Sequence, residues 1–134
     1  MIRVVLDTNV LVSALLSSEG LPARVLLMAI TSKEIQLCVS GDIYAENDEV
    51  IRRPRFKRSA HEIEAALGAI RERGIWVKPS KKVVASSDPD DNVFLECAEA
   101  ANAHYLIAGN VRHFPGAWVD TKVVTLRQFL EDLI

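Results

Sequence analysis

The chain has 134 residues, of which 49% are hydrophobic and 25% charged. That length suits one domain over residues 1–134, and the balance supports a packed core and excludes intrinsic disorder. The formal net charge of −2 gives no general basic excess, so contact with a polyanion must rest on local clusters or on metal ions.

Residues Ile2 to Leu6 read as a buried strand, apolar except for Arg3, that ends at Asp7. Thr8-Asn9 carry capping chemistry, and Val10 to Leu16 read as a helix. Ser17-Ser18-Glu19-Gly20 breaks it, and Pro22 opens a second helix with Val25, Leu26, Ala29 and Ile30 on its apolar side. Ile35 to Val39 is the second strand. Ser40 caps a helix over Gly41 to Arg52, which Pro54 stops. Ser59-Ala60-His61-Glu62 is a capping box for a helix with Ile63, Leu67 and Ile70 on one face and Gly74 at its end.

Ile75 to Val77 is the third strand, and Lys81 to Ala85 reads as a short extension or hairpin arm. Asp88-Pro89-Asp90-Asp91 opens a helix that runs to about Ala103. Tyr105 to Ala108 is the fourth strand and Val119 to Val124 holds a fifth. Thr125 to Gln128 is a second capping box, before a last amphipathic helix with Leu126, Phe129, Leu130 and Leu133. Aliphatic strands alternating with helices predict an α/β fold with a mainly parallel sheet and helices on both faces. No apolar run nears the roughly 20 residues of a membrane span. Met1-Ile2-Arg3 leads straight into a strand, with no basic leader, so a cytoplasmic protein is expected. Cys38 and Cys97 lie far apart in apolar stretches and read as small buried hydrophobes.

In such sheets ligands bind beyond the carboxyl ends of the strands. Asp7 follows the first strand, Gly109-Asn110 follows the fourth, and Asp88, Asp90 and Asp91 open the helix between them. Glu46 joins them if its helix runs along the same edge. Gathered carboxylates repel one another, and a hard divalent ion removes the conflict. The reaction class this suggests is phosphodiester hydrolysis. Each acid also has a plainer role: Asp7 and Asp88 as helix caps, Asp90 and Asp91 as first-turn acids, and Glu46 as part of a solvated charge run with Asp48 and Glu49. His61, His104 and His113 show no paired metal spacing.

Four segments, quoted in order, carry a family resemblance. They are Val4-Val5-Leu6-Asp7-Thr8-Asn9, Ser40-Gly41-Asp42-Ile43-Tyr44-Ala45-Glu46 with Val50 to Phe56 behind it, Asp88-Pro89-Asp90-Asp91-Asn92-Val93-Phe94-Leu95, and Leu106-Ile107-Ala108-Gly109-Asn110-Val111-Arg112-His113-Phe114-Pro115. The chain resembles the PIN domain nucleases, and within them the VapC-like toxins of toxin–antitoxin systems. The resemblance implies a Rossmann-like, three-layer PIN fold and a site of Asp7, Glu46 and Asp91 holding Mg²⁺ or Mn²⁺. It further implies ribonuclease activity, a homodimer and an antitoxin partner. Supporting places fall to Asn9 beside Asp7, to Asp88 and Asp90 on outer waters, and to Asn110 on a water or a phosphate. The family's fourth acid is replaced by Asn110, with His113 nearby, which points to one metal rather than two. Ala108 stands where a hydroxyl is common, and Asn47 where a larger residue is usual.

The basic segment Arg52, Arg53, Arg55, Lys57 and Arg58 reads either as a strip beside an RNA backbone or as a solvated helix end. The competing reading is a catalytically weak module on the same fold that binds RNA or protein. A phospho-receiver domain is disfavoured: Asp7 has no acidic neighbour, and the third strand ends in Val77-Lys78-Pro79 rather than at an acid.

Overall fold

A computed structural model describes residues 1–133. Its strands are β1 (Ile2–Leu6), β2 (Ile35–Val39), β3 (Ile75–Trp76), β4 (Tyr105–Ile107), β5 (Ala117–Trp118) and β6 (Thr121–Val124). Its helices are α1 (Thr8–Leu16), α2 (Leu21–Thr31), α3 (Gly41–Ile51), α4 (Ala60–Arg73), α5 (Asn92–Ala101) and α6 (Leu126–Asp132). Among the described residues no single helix is long and apolar enough to cross a membrane.

The strands form one sheet in the order β3-β2-β1-β4-β6-β5. All neighbours are parallel except β5 and β6. The chain builds outward from β1 to β2 and β3, then returns to lay β4 on the other side of β1. That reversal opens a crevice at the carboxyl ends of β1 and β4, where an open α/β sheet binds its ligands.

Because side chains alternate along a strand, β1 feeds two cores. Val4 and Leu6 pack with Val10, Val25, Leu67 and Phe129 in the layer that holds α1, α2, α4 and α6. Val5 packs with Cys38, Leu106, Phe94 and Leu95 in the layer built on α5. The helix α3 belongs to both, since Ile43 lies in the second layer and Ile51 in the first. Edge-to-face rings lock each layer: Tyr105 on Phe129 at 5.3 Å in the first, Phe94 on Phe114 at 6.4 Å in the second. Both cysteines are buried free thiols, as expected, and burial pushes them up to about 11 (Cys38) and about 12 (Cys97).

Several expectations are corrected. Lys81 to Ala85 is neither a strand nor a hairpin arm. Its backbone is held by side chains of α5 instead: Val83 N–H donates to the buried Glu96 at 3.0 Å, and Ala85 N–H to Asn92 Oδ1 at 3.2 Å. The last strand region becomes a hairpin, so the sheet has an added antiparallel edge at β5. Gly74 does end α4, but with φ −68 rather than a left-handed turn. It is needed for space: a Cβ there would sit 2.6 Å from the Ile70 carbonyl oxygen and 3.0 Å from Val39. The helix opening at Asp88 begins as a 3₁₀ turn over Pro89–Asp91 before α5 proper.

Two stability predictions come from this packing. Val119, in the hairpin turn, is a β-branched residue at φ 53 with 65% of its surface exposed. Val119→Gly relieves that strain with little packing lost, so thermal unfolding should show a gain of about 1 kcal/mol; a loss would mean the valine side chain is needed. Asn92 is buried, and its Oδ1 also accepts from Ser86 N–H and Ser86 Oγ, each at 2.9 Å. Asn92→Ala orphans those donors and should cost about 2 kcal/mol in denaturant unfolding, a loss that Asn92→Asp largely recovers.

Candidate metal centre

Three elements bring one acid each to the crevice. Asp7 is the residue after β1, tied to β4 by its N–H donating to the Ile107 carbonyl at 3.0 Å. It is also the N-cap of α1, accepting from Asn9 N–H at 3.2 Å, so the capping role and the site role coexist. That bond comes from the Asn9 backbone N–H. Asp7 is only 4% exposed. Glu46 sits in the second turn of α3, whose start is fixed by Ser40 Oγ accepting from Ile43 N–H. Asp91 stands at the N-cap position of α5 but makes no side-chain capping bond. Its Oδ2 instead lies 3.2 Å from His113 Nδ1.

Asp7, Glu46, Asp88, Asp90 and Asp91 line one cleft of about 230 Å³. The crowding is legible in their acidities. Burial pushes Asp7 up from 3.8 to about 6, helped by Asp91 and Glu46 and opposed by the backbone N–H groups of Asn9 and Gly109. Burial also raises Glu46, with Asp91, Asp90 and Asp88 adding to it, while the Thr8 hydroxyl pulls the other way. Asp91 is raised by burial and by Asp88, against the His113 contact. The cleft is a concentration of partly desolvated negative charge that a cation would stabilise.

The neighbours explain how the acids are held. Buried Thr8 donates its hydroxyl to Glu46 and lies 2.9 Å from Asn47 Oδ1, so its one proton is shared between them. Asn47 is itself only 4% exposed. Its amide oxygen beside Thr8 is the contact an apolar residue there would lose. Asp88 is the cap of the 3₁₀ turn, accepting from Asp90 N–H at 3.0 Å. Its ligand oxygen, one from Asp91 and a ring nitrogen of His113 all lie within 4.8 Å of one another. The Asn110 amide makes two contacts: Oδ1 accepts from Arg112 N–H at 3.3 Å, and Nδ2 lies 3.1 Å from His113 Nε2. Those two contacts use one amide proton and one lone pair, and the residue is exposed, so the rest of the amide stays open to a water or a phosphate. His113 was the residue the sequence left without a role. Its only signal was its spacing, three residues after Asn110 and next to Phe114, whose ring seats the segment in the core.

The basic segment is less free than expected. Arg52 pairs with Asp48 at 2.5 Å and with Glu64 at 2.6 Å, and Arg53 pairs with Glu49 at 2.9 Å. Arg58 is 3.5 Å from Glu62 and donates to the Leu15 carbonyl at 3.3 Å. Arg55 lies over the Phe56 ring at 4.8 Å. Among the described residues Arg55 and Lys57 are the members of the segment with no carboxylate partner. Arg53 and Arg55 line the acidic cleft.

The model of the PIN domain family matches residues 3–112. An uncharacterized protein of Methanocaldococcus jannaschii is 28% identical over 105 residues, covering 76% of this chain and 67% of that protein. Among solved structures, VapBC2 from Rickettsia felis bound to a DNA fragment from their promoter has the same fold. The TM-score is 0.58 at 15% identity, over 91% of this chain and 98% of that one. PIN domains are in general nucleases that use divalent metals, and the acidic cleft described above lies inside the matched span. With sheet order, strand-end acids and family model in agreement, the chain belongs to the PIN domain family.

Proposed function

We propose that this chain is a metal-dependent endoribonuclease, the toxin of a toxin–antitoxin pair, acting in the cytoplasm as a single domain and as a homodimer. The observation that carries the reading is the meeting of Asp7, Glu46 and Asp91, from three separate elements, on one cleft with each pKa raised. The likeness of fold to VapBC2 supports an antitoxin partner.

The donor set suits Mg²⁺ or Mn²⁺: hard carboxylate oxygens, buried enough to need a counter-charge and open enough on one side to admit waters. Asp7, Glu46 and Asp91 would hold the ion, with Asp88 and Asp90 on its outer waters. Such an ion supplies positive charge to a phosphoryl oxygen and makes an attacking water more acidic. The chain does the rest. Thr8 fixes the Glu46 carboxylate, and the backbone of Asn9 and Gly109 fixes Asp7. Arg55, without a carboxylate partner among the described residues, offers the RNA backbone positive charge at the cleft wall, beside Arg53, whose charge is shared with Glu49. Arg52 and Arg58 are bound to acids already and are not among the residues that line that wall.

The second reading, a weak enzyme that works by binding RNA or protein, draws on one observation. The place of the fourth acid is held by Asn110, which brings no negative charge to the cleft. One assay separates the two. Purified protein with Mg²⁺ or Mn²⁺ should cut single-stranded or structured RNA, stop on chelation, and lose at least about a hundredfold in rate as Asp7→Asn or Asp91→Asn. Binding without cleavage on every RNA tried would favour the second reading.

Stability gives an independent check. The folded value of Asp7 lies above its unfolded value, so between pH 3.8 and about 6 the native state holds more protons than the unfolded one. Metal-free stability therefore falls as pH rises through that window, and at neutral pH the deficit from Asp7 is about 3 kcal/mol. A divalent ion binds the deprotonated cluster, so its gain in Tm should be larger at about pH 7.5 than at about pH 5. Asp7→Asn should raise the metal-free Tm at the higher pH and abolish the metal effect. Equal metal gains at both pH values would remove the acids from the ion.

A further inference from the structure

A directed chain of hydrogen bonds ends on Asp91. Arg112 N–H donates to Asn110 Oδ1 at 3.3 Å, which fixes the orientation of the Asn110 amide. The NH₂ end then lies 3.1 Å from His113 Nε2. An amide NH₂ only donates, so Nε2 must present its lone pair. A neutral ring then carries its proton on Nδ1, and Nδ1 lies 3.2 Å from Asp91 Oδ2. The backbone of one 3₁₀ turn thus selects the tautomer of a histidine, and the histidine donates to the acid.

Asp91 needs such a partner. It stands at the N-cap position of α5 without making a capping bond, so its own helix does not fix its carboxylate. We infer that His113 is a positioning residue for the metal centre: held by Asn110 as the Nδ1–H tautomer, it donates to Asp91 Oδ2 and sets how that carboxylate faces the cleft. The inference rests on the proposed role of Asp91. Proximity alone would also allow direct ligation, since atoms of Asp88, Asp91 and His113 lie within 4.8 Å of one another. The bonding pattern speaks against it. One nitrogen carries the proton given to Asp91 and the other accepts from Asn110, so neither offers an ion a free lone pair. Partners of this kind orient a ligand rather than replace it. Asn110 thereby gains a reason of its own. An aspartate in its place would accept at Nε2, so the ring would no longer be held as the neutral Nδ1–H tautomer.

Long-range proton–nitrogen NMR on the ¹⁵N-labelled, metal-free protein at about pH 8, above the ordinary histidine range, reads the tautomer directly. The Nδ1–H pattern is expected for His113, with a shift toward Nε2–H in Asn110→Ala. Mn²⁺ titration followed by electron paramagnetic resonance reads the consequence. His113→Ala should weaken binding about 10- to 100-fold. His113→Asn, whose NH₂ can stand where Nδ1–H stood, should recover most of that, and His113→Gln should not. Pulsed resonance should show no directly bound imidazole nitrogen. An Nε2–H tautomer, unchanged Mn²⁺ affinity in a folded His113→Ala protein, or strong nitrogen coupling to the ion would each overturn the inference. Failure of the unaltered protein to bind Mn²⁺ at all would instead sink the metal-centre reading, and the inference with it.

Discussion

Everything in this molecule leans on β1 being paired on both sides. Its register with β2 runs Ile2 to Ile35 and with β4 runs Val4 to Tyr105, so the strand is fixed along its length by two parallel ladders. A five-residue strand with alternating Val4, Val5 and Leu6 can then bury both of its faces. The same double pairing ends at Asp7, where the ladder to β4 supplies one last bond to Ile107. A carboxylate placed there has no freedom to leave the crevice. Its raised pKa is the price of that confinement, and a cation is the natural remedy.

The larger features could be read from the residues because they depend on local pattern. The apolar runs of β1, β2 and β4, the capping boxes at Ser59 and Thr125, and the stripe of Ile63, Leu67 and Ile70 each appear where periodicity and capping put them. Asp7 and Asp91 were visible as strand-end and helix-start acids. Glu46 was not distinguishable from Asp48 and Glu49 by composition. The motif resemblance singled it out, and in the fold its place on α3, with Thr8 reaching it from α1, separates it from neighbours that pair with Arg52 and Arg53.

What stayed hidden depends on contacts between segments distant in the chain. Val83 and Ala85 look like a strand, yet their N–H groups go to Glu96 and Asn92, which a pattern of alternation cannot foresee. The basic run from Arg52 to Arg58 looks like a free stripe until Glu64, on another helix, is seen to claim Arg52. His113 carries little local signal beyond its spacing from Asn110. Its relation to Asp91 spans 22 positions and exists only because Phe114 anchors the segment against Phe94.

The double membership of α3 has an evolutionary consequence. Ile43 is seated in one core layer and Ile51 in the other, with Glu46 between them. A substitution that lets either layer shrink tilts the helix and moves the acid, even when it lies far from the cleft. Lineages that keep the acid useful must therefore change the two layers in concert. Residues on opposite faces of the sheet, which never touch, are expected to covary through one helix.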